Sequence, residues 1–426
     1  MNTAAPATAL TIAAPQLATI REAFPALAGD TILLENAGGS QVPREVPAAI
    51  AEYMLRDYAQ LGAGYPASDR ATQTVADAHT WIELFMNAGS TGRVILGASC
   101  TSLVRNLADM HGRTLSPGDE IVICDEGHEA NIGPWLELAS RGIVIRHWPV
   151  DPTTGRAELA ALEPIMNERT RLVTGIHVSN LRGEIHNVRE LAEFVHARGA
   201  RLAVDGVAYA PHRAIDVQAL GVDWYLYSTY KVYGPHMAAL FGTHEALAEL
   251  PGVNHFFIPA GDVPYAFEPG GASHEGCAGL LALRPHLCRL AAIDGSAEAV
   301  PAPADIDRRT VERAFAVMTA CELPLQARLV AWIDAHPRLR IIGPASSGVD
   351  DRVATISFVH ESKSSREISD AVNAAGFGIR YGHMYSIRMT RALGLADDDG
   401  VVRVSAVHYN TPAEVDALIE RLDAIV

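Results

Sequence analysis

From about residue 93 onward, apolar and polar positions fall into a repeating order. Strand-length apolar runs at 93–96, 120–124, 143–148, 171–178, 201–204 and 224–227 alternate with amphipathic stretches at 101–112, 134–141, 159–167 and 188–198. The stretches have helical spacing, and Gly142 and Gly199 follow two of them, where helices often stop in a left-handed turn. Strands alternating with helices predict a mainly parallel sheet covered on both faces. Upstream, residues 1–24 read as a loose arm, 31–35 as a short apolar run, 36–40 as a turn, 59–69 as a loop, and 45–58 and 71–86 as helices.

Past about residue 290 the rhythm changes. Residues 294–305 are rich in Ala, Pro, Ser and acid, and read as a surface connection. A long helix over 310–336, open to interruption at Pro324, is followed by strands near 353–358 and 401–405, a helix over 365–375 between them, and a last helix. Thr411-Pro412-Ala413-Glu414 marks the start of that last helix, with a capping threonine, proline in the first turn and glutamate three residues after the cap. The predicted fold class is α/β: a large domain with a mainly parallel mixed sheet flanked by helices, plus a smaller C-terminal α+β domain. The boundaries expected are 1–24 for the arm, 25–293 for the large domain and 294–426 for the small one.

Composition narrows the function classes. The 34 basic and 50 acidic side chains leave a net charge of −16, which argues against general affinity for nucleic acid or anionic membrane. Five cysteines without a CxxC pair argue against a disulfide framework or a structural zinc site, and favour a reducing cytoplasm. The 17 histidines show no metal-binding spacing, so no metal is expected. The first basic residue is Arg21, which does not suit a secretory signal, and no apolar run is expected to reach the ~18 residues of a membrane span.

Candidate chemistry gathers at predicted strand ends, where α/β sheets bind ligands. Ser99-Cys100-Thr101 opens a helix after the 93–96 run, which suits an anion or simply a helix cap. His128 follows the 120–124 run, Asn180 follows the 171–178 run, and Asp205 follows 201–204. Lys231 comes just after 224–227, in Ser228-Thr229-Tyr230-Lys231-Val232-Tyr233-Gly234-Pro235. A lysine there can form a Schiff base with a carbonyl cofactor. Taken singly, each has a bland alternative: a surface lysine, a solvated acid, a turn asparagine. Together they meet the specification of a phosphorylated aromatic aldehyde, pyridoxal 5'-phosphate (PLP), with phosphate at Ser99–Thr101, ring beneath His128, ring nitrogen on Asp205 and aldehyde on Lys231.

This order of motifs resembles the class V aminotransferase and cysteine desulfurase family of fold type I PLP enzymes, from about Phe24 to the C-terminus. The resemblance rests on Val204-Asp205-Gly206-Val207-Ala208, the segment from Ser228 to Pro235, His128 to Trp135, Ser179 to Gly183, and Arg380-Tyr381-Gly382-His383. It implies that Lys231 carries the cofactor, Asp205 partners its ring nitrogen and His128 stacks on its ring. It assigns Cys100, Thr101 and Ser228 to the phosphate, Asn180 to the phenolic oxygen and Arg380 to the substrate carboxylate. It also implies a homodimer with sites at the subunit interface, and the substrate expected is a small or modified amino acid.

Four departures qualify that picture. His383-Met384-Tyr385-Ser386 stands where desulfurases carry a nucleophilic cysteine, and a phenol cannot take a persulfide. Ala208 replaces a glutamine, Tyr230 a phosphate-binding histidine, and Gly271 the threonine lent to the partner's phosphate. The expectation is an enzyme acting at Cα, an aminotransferase or β-eliminating lyase. Epimerisation, true desulfurase activity and a non-catalytic PLP-binding module are the alternatives. Tyr65, Tyr381 and Tyr385 are candidate acids near the substrate, each with packing as the simpler role.

Overall fold

The computed structural model describes residues 10–426. Its centre is a seven-stranded sheet in the order Gly92–Gly97, Ala238–Thr243, Trp224–Ser228, Arg201–Asp205, Thr170–Ile176, Glu120–Cys124, Val144–Trp148. The last five run parallel, whereas Ala238–Thr243 is antiparallel to both its neighbours. The predicted mixed, mainly parallel sheet is therefore present. Alternation along each strand feeds two separate cores. Ile121 and Ile123 enter one face, Val122 and Cys124 the other, as the two-residue period of a strand requires.

Ala238–Thr243 was not foreseen. It follows closely on a Gly-Pro turn, and its Ala238, Ala239 and Gly242 leave only Leu240 and Phe241 as a strand signal. Gly242 shows why small residues are needed, since a Cβ there would run into the Trp224 indole on the neighbouring strand. The helix expected over 71–86 begins earlier, as Pro66–Phe85, because Pro66 occupies the first helical turn, where its missing N–H costs nothing.

A second sheet, in the order Arg380–Gly382, Val401–Ser405, Thr355–His360, Leu339–Ile342, is antiparallel throughout. The helix Ser365–Asn373 and the predicted capping box at Thr411 accompany it, with Glu414 N–H donating to Thr411 Oγ1 at 3.1 Å. The helix Arg308–Ala335 runs through Pro324 without interruption. Its first half packs Val311, Phe315 and Met318 into the large core, and its second half packs Leu325, Leu329 and Ile333 against the small sheet. An 18-residue window of this helix reaches a mean hydropathy of 1.2, so by length and composition it passes for a membrane span, contrary to the expectation above. Over half of that window, 56%, is buried inside the protein, as in a core helix.

Of the arm expected over 1–24, residues 1–9 lie outside the described residues, and Ala14–Arg21 is a helix that buries Ile20. Arg21 bonds the Tyr409 carbonyl at 2.6 Å and pairs with Glu414 at 2.8 Å. Ile32–Leu33 pairs in parallel with Phe377–Gly378 as a separate two-stranded sheet, which ties this segment to the C-terminal part of the chain. That tie places Glu35, just beyond it, beside the site.

Candidate active site

One cavity collects the C-terminal ends of the parallel strands. It is lined by Ser99, Cys100, Thr101, His128, Asn180, Asp205, Ser228, Tyr230 and Lys231, with Ala208 and the apolar Val104, Ile176, Val207 and Leu226 between them. Eight of the nine predicted site residues are thus brought together, and Arg380 is not among the lining residues.

At one end, Ser99 caps the helix Cys100–Thr114 by accepting from the Ser102 N–H at 3.1 Å. The N–H groups of Cys100 and Thr101 lie in the first turn and have no intrahelical acceptor, so this end favours an anion. Ser228 OH donates to Cys100 Sγ at 3.2 Å, so the hydroxyl assigned to the phosphate is engaged with the thiol here. Tyr230 stacks on His236 with centroids 4.6 Å apart. Gly271 stands in a left-handed conformation (φ 83°), and Ser273 caps the helix His274–Leu281.

At the other end, Asp205 Oδ1 accepts from Val207 N–H at 2.9 Å. Burial raises the Asp205 pKa, while the nearby Lys231 charge opposes the rise. A carboxylate in that position is short of a cationic partner. Lys231 borders the cavity with its amine enclosed by protein; burial lowers its pKa to about 8, helped by Arg403 and opposed by Asp205. His128 accepts from Ala130 N–H on Nδ1 at 3.0 Å, which leaves the proton on Nε2. Burial and the Lys231 and Arg403 charges depress its pKa to about 4, so the ring is neutral near pH 7.

The segment after Arg380 forms the outer wall. Met384 (φ 50°) and Tyr385 (φ 63°) are both left-handed, at roughly 1–2 kcal/mol each for residues with a Cβ. Several bonds offset that strain. Asn180 Nδ2 donates to the Met384 carbonyl at 2.8 Å, and Ser386 OH donates to Asn180 Oδ1 at 2.7 Å. Glu129 N–H donates to the Tyr385 carbonyl at 2.9 Å, and Met384 is buried with Leu181 and Met389. At roughly 0.5–1.5 kcal/mol per bond, these match the backbone cost and pin the segment. Tyr385 consequently lies against His128, with ring centroids 5.1 Å apart. Of the other two tyrosines, Tyr381 lies under the Arg366 guanidinium and Tyr65 is exposed beside a different cavity.

The arginine enclosed near the cavity is Arg403, which sequence reasoning missed. Arg380 and Arg403 are cross-strand partners, but Arg380 is about half exposed, with Nη1 3.6 Å from Glu35. Arg403 is buried, donates from Nη1 to the Asn180 carbonyl at 3.0 Å and from Nη2 to Glu35 at 3.2 Å, and leaves its Nε without a partner. Burial lowers its pKa to about 10. The available signal was an arginine inside Val401-Val402-Arg403-Val404: a charge in a buried strand needs a partner.

These groups fit pyridoxal phosphate: an open helix start for its phosphate, an unneutralised buried acid for its ring nitrogen, and an enclosed amine for its aldehyde. The fold and cavity define a PLP-dependent enzyme of fold type I. The aminotransferase class-V family model matches residues 32–255 and 310–418, and the chain belongs to that family, whose members use PLP. An aminotransferase-like protein of Gibberella zeae is 38% identical over 96% of this chain and 98% of its own length. A cysteine desulfurase-like protein of Aspergillus flavus is 31% identical over 96% and 90%. The solved cysteine desulfurase of Thermococcus onnurineus shares the fold, with a TM-score of 0.81 at 23% identity, over 96% of this chain and 98% of that one.

Proposed function

We propose that the enzyme acts at the Cα of an amino acid, by transamination or β-elimination, and does not transfer sulfur through a cysteine in the segment after Arg380. The observation that carries this reading is the enclosed Lys231 amine in one cavity with Asp205 and His128, within reach of the Arg403 charge behind the cavity wall. Lys231 would hold the cofactor's aldehyde, Asp205 its ring nitrogen, His128 its ring face, and the start of the Cys100–Thr114 helix its phosphate. When bound, PLP supplies an electron sink that makes the bonds at Cα labile. Arg403 orients the substrate by its carboxylate, because its unpartnered Nε and adjacent Nη2 form one edge of a guanidinium fork. Lys231, with its lowered pKa, takes and returns the Cα proton, a role worth roughly 10²–10⁴-fold in rate. Asp205 would keep the cofactor's ring nitrogen protonated, and Tyr385 and His128 would limit water on the open side.

Two features support the exclusion of sulfur transfer. Tyr385 occupies a pinned segment rather than a free one. All five cysteines are buried, and the only one lining the cavity, Cys100, has its pKa pushed up to about 12 by burial, so it stays a thiol. The test is to mix holoenzyme with a panel of amino acids and identify products. Keto acid without ammonia release means transamination, and pyruvate with ammonia means elimination. Alanine with persulfide from free cysteine would overturn the exclusion.

A homodimer is part of the same proposal. Large apolar side chains are exposed on two segments, at Met54, Leu55, Tyr58 and Tyr65 and at Phe256, Phe257 and Tyr265, with Phe256 99% exposed. Isolated exposed apolar residues are ordinary, but such clusters mark association surfaces. Light scattering should give twice the mass of one chain, and Leu55→Glu with Phe256→Glu should reduce it to one. A monomeric wild-type protein at micromolar concentration contradicts the proposal.

A further inference from the structure

Arg380 and Arg403 are register partners on antiparallel strands, and like charges placed opposite each other repel. A single oxygen, Glu35 Oε1, lies between them, 3.2 Å from Arg403 Nη2 and 3.6 Å from Arg380 Nη1. Glu35 arrives there because the parallel pairing of Ile32–Leu33 with Phe377–Gly378 and the Glu35–Ser405 bridge bring its backbone alongside Arg403's strand. Its carboxylate folds over Gly38, where a Cβ would collide with it. The two arginines are unlike: Arg403 is enclosed and short of one partner at Nε, whereas Arg380 is open to solvent.

We propose that Glu35 is a displaceable counter-ion for the substrate-binding arginine, with Arg380 as its alternative seat. Without substrate, Glu35 occupies Nη2 of Arg403. An incoming carboxylate takes the Nε and Nη2 edge, and Glu35 moves fully onto Arg380. Entry of the substrate's negative charge is thereby matched by transfer of a negative charge to the solvent-facing arginine. The enclosed guanidinium is paired in both states, so it never carries the cost of an uncompensated buried charge. Arg380 therefore acts on substrate binding through Glu35, as a positioning residue that does not touch the carboxylate.

The inference rests on Arg403 as the carboxylate clamp, and the experiment separates the two. Propionate carries a carboxylate and no amine, so its binding to holoenzyme is read by calorimetry without turnover. Glu35→Gln removes the competing charge and should tighten propionate by about three- to tenfold, the scale of a partly exposed ion pair together with lost like-charge repulsion. Arg380→Ala should weaken propionate several-fold in the wild type and have no effect in the Glu35→Gln background. Glu35→Asp, which keeps the charge on a shorter stem, serves as a folding control in case Glu35→Gln loses its far-ultraviolet spectrum, and it should leave the Arg380→Ala effect in place. Unchanged or weaker binding in Glu35→Gln, or an Arg380→Ala effect that persists there, overturns the inference. If Arg403→Lys leaves propionate affinity unchanged, the clamp itself is wrong and the fault lies with the functional reading.

Discussion

Lys231→Ala is expected to abolish covalent retention of pyridoxal phosphate and to lower turnover by at least ~10²–10⁴-fold, the range associated with a positioned proton-transfer group. The effect should be severe because one amine serves two ends. It is the enclosed amine in the cavity, and in the proposed reaction it is also the base for the Cα proton. The measurement is direct: borohydride treatment fixes cofactor to wild-type protein, and mass spectrometry then finds the adduct on Lys231. The alanine variant should carry none and lack the visible absorption band. An adduct on another lysine would overturn the assignment. A pH dependence comes with it. With a pKa of about 8, down from 10.5, the amine is neutral in about a tenth of molecules at pH 7, far more than an ordinary lysine. Cofactor uptake by apoenzyme needs the neutral amine, so its rate should climb as pH rises to about 8 and level off above it.

The features legible in the sequence were those whose side chains carry a periodic or positional signal. Four of the five parallel strands read as apolar runs because both their faces are buried, with the edge strand Val144–Trp148 only partly covered, and the site residues at the strand ends followed from that frame. Short or small-residue strands gave no such signal. Ala238–Thr243 carries a glycine at 242 because of the Trp224 ring it must accommodate, and Arg380–Gly382 has three residues, the first of them exposed. Missing that last strand had a direct consequence for the site. The family resemblance assigned Arg380 to the substrate carboxylate. Placed on an edge strand opposite Arg403, it faces solvent while its partner is enclosed. Pro324 shows the opposite failure, where a strong local breaker yields to tertiary packing. Both halves of its helix are held by cores, and that burial outweighs the roughly 3 kcal/mol that an interior proline costs.

Arg403→Ala should raise KM for α-amino acids by about 30-fold or more, since truncating one member of a hydrogen-bonded buried charge pair costs roughly 2–5 kcal/mol. Two consequences distinguish a clamp from a structural arginine, and a third places it beside Lys231. First, a primary amine without a carboxylate should bind wild type and variant alike, because its binding never used the guanidinium. Second, Arg403→Lys should recover only part of the affinity, since a lysine keeps the charge but lacks the fork that grips both oxygens. Third, Arg403 helps depress the Lys231 and His128 pKa values, so its removal shifts both upward. Less of the Lys231 amine is then neutral at pH 7, and the rise in cofactor uptake should move to higher pH. That shift follows from the charge alone, so it places Arg403 beside Lys231, and the first two tests establish the clamp. An unchanged midpoint together with an unchanged KM would remove Arg403 from the site and return the carboxylate to Arg380.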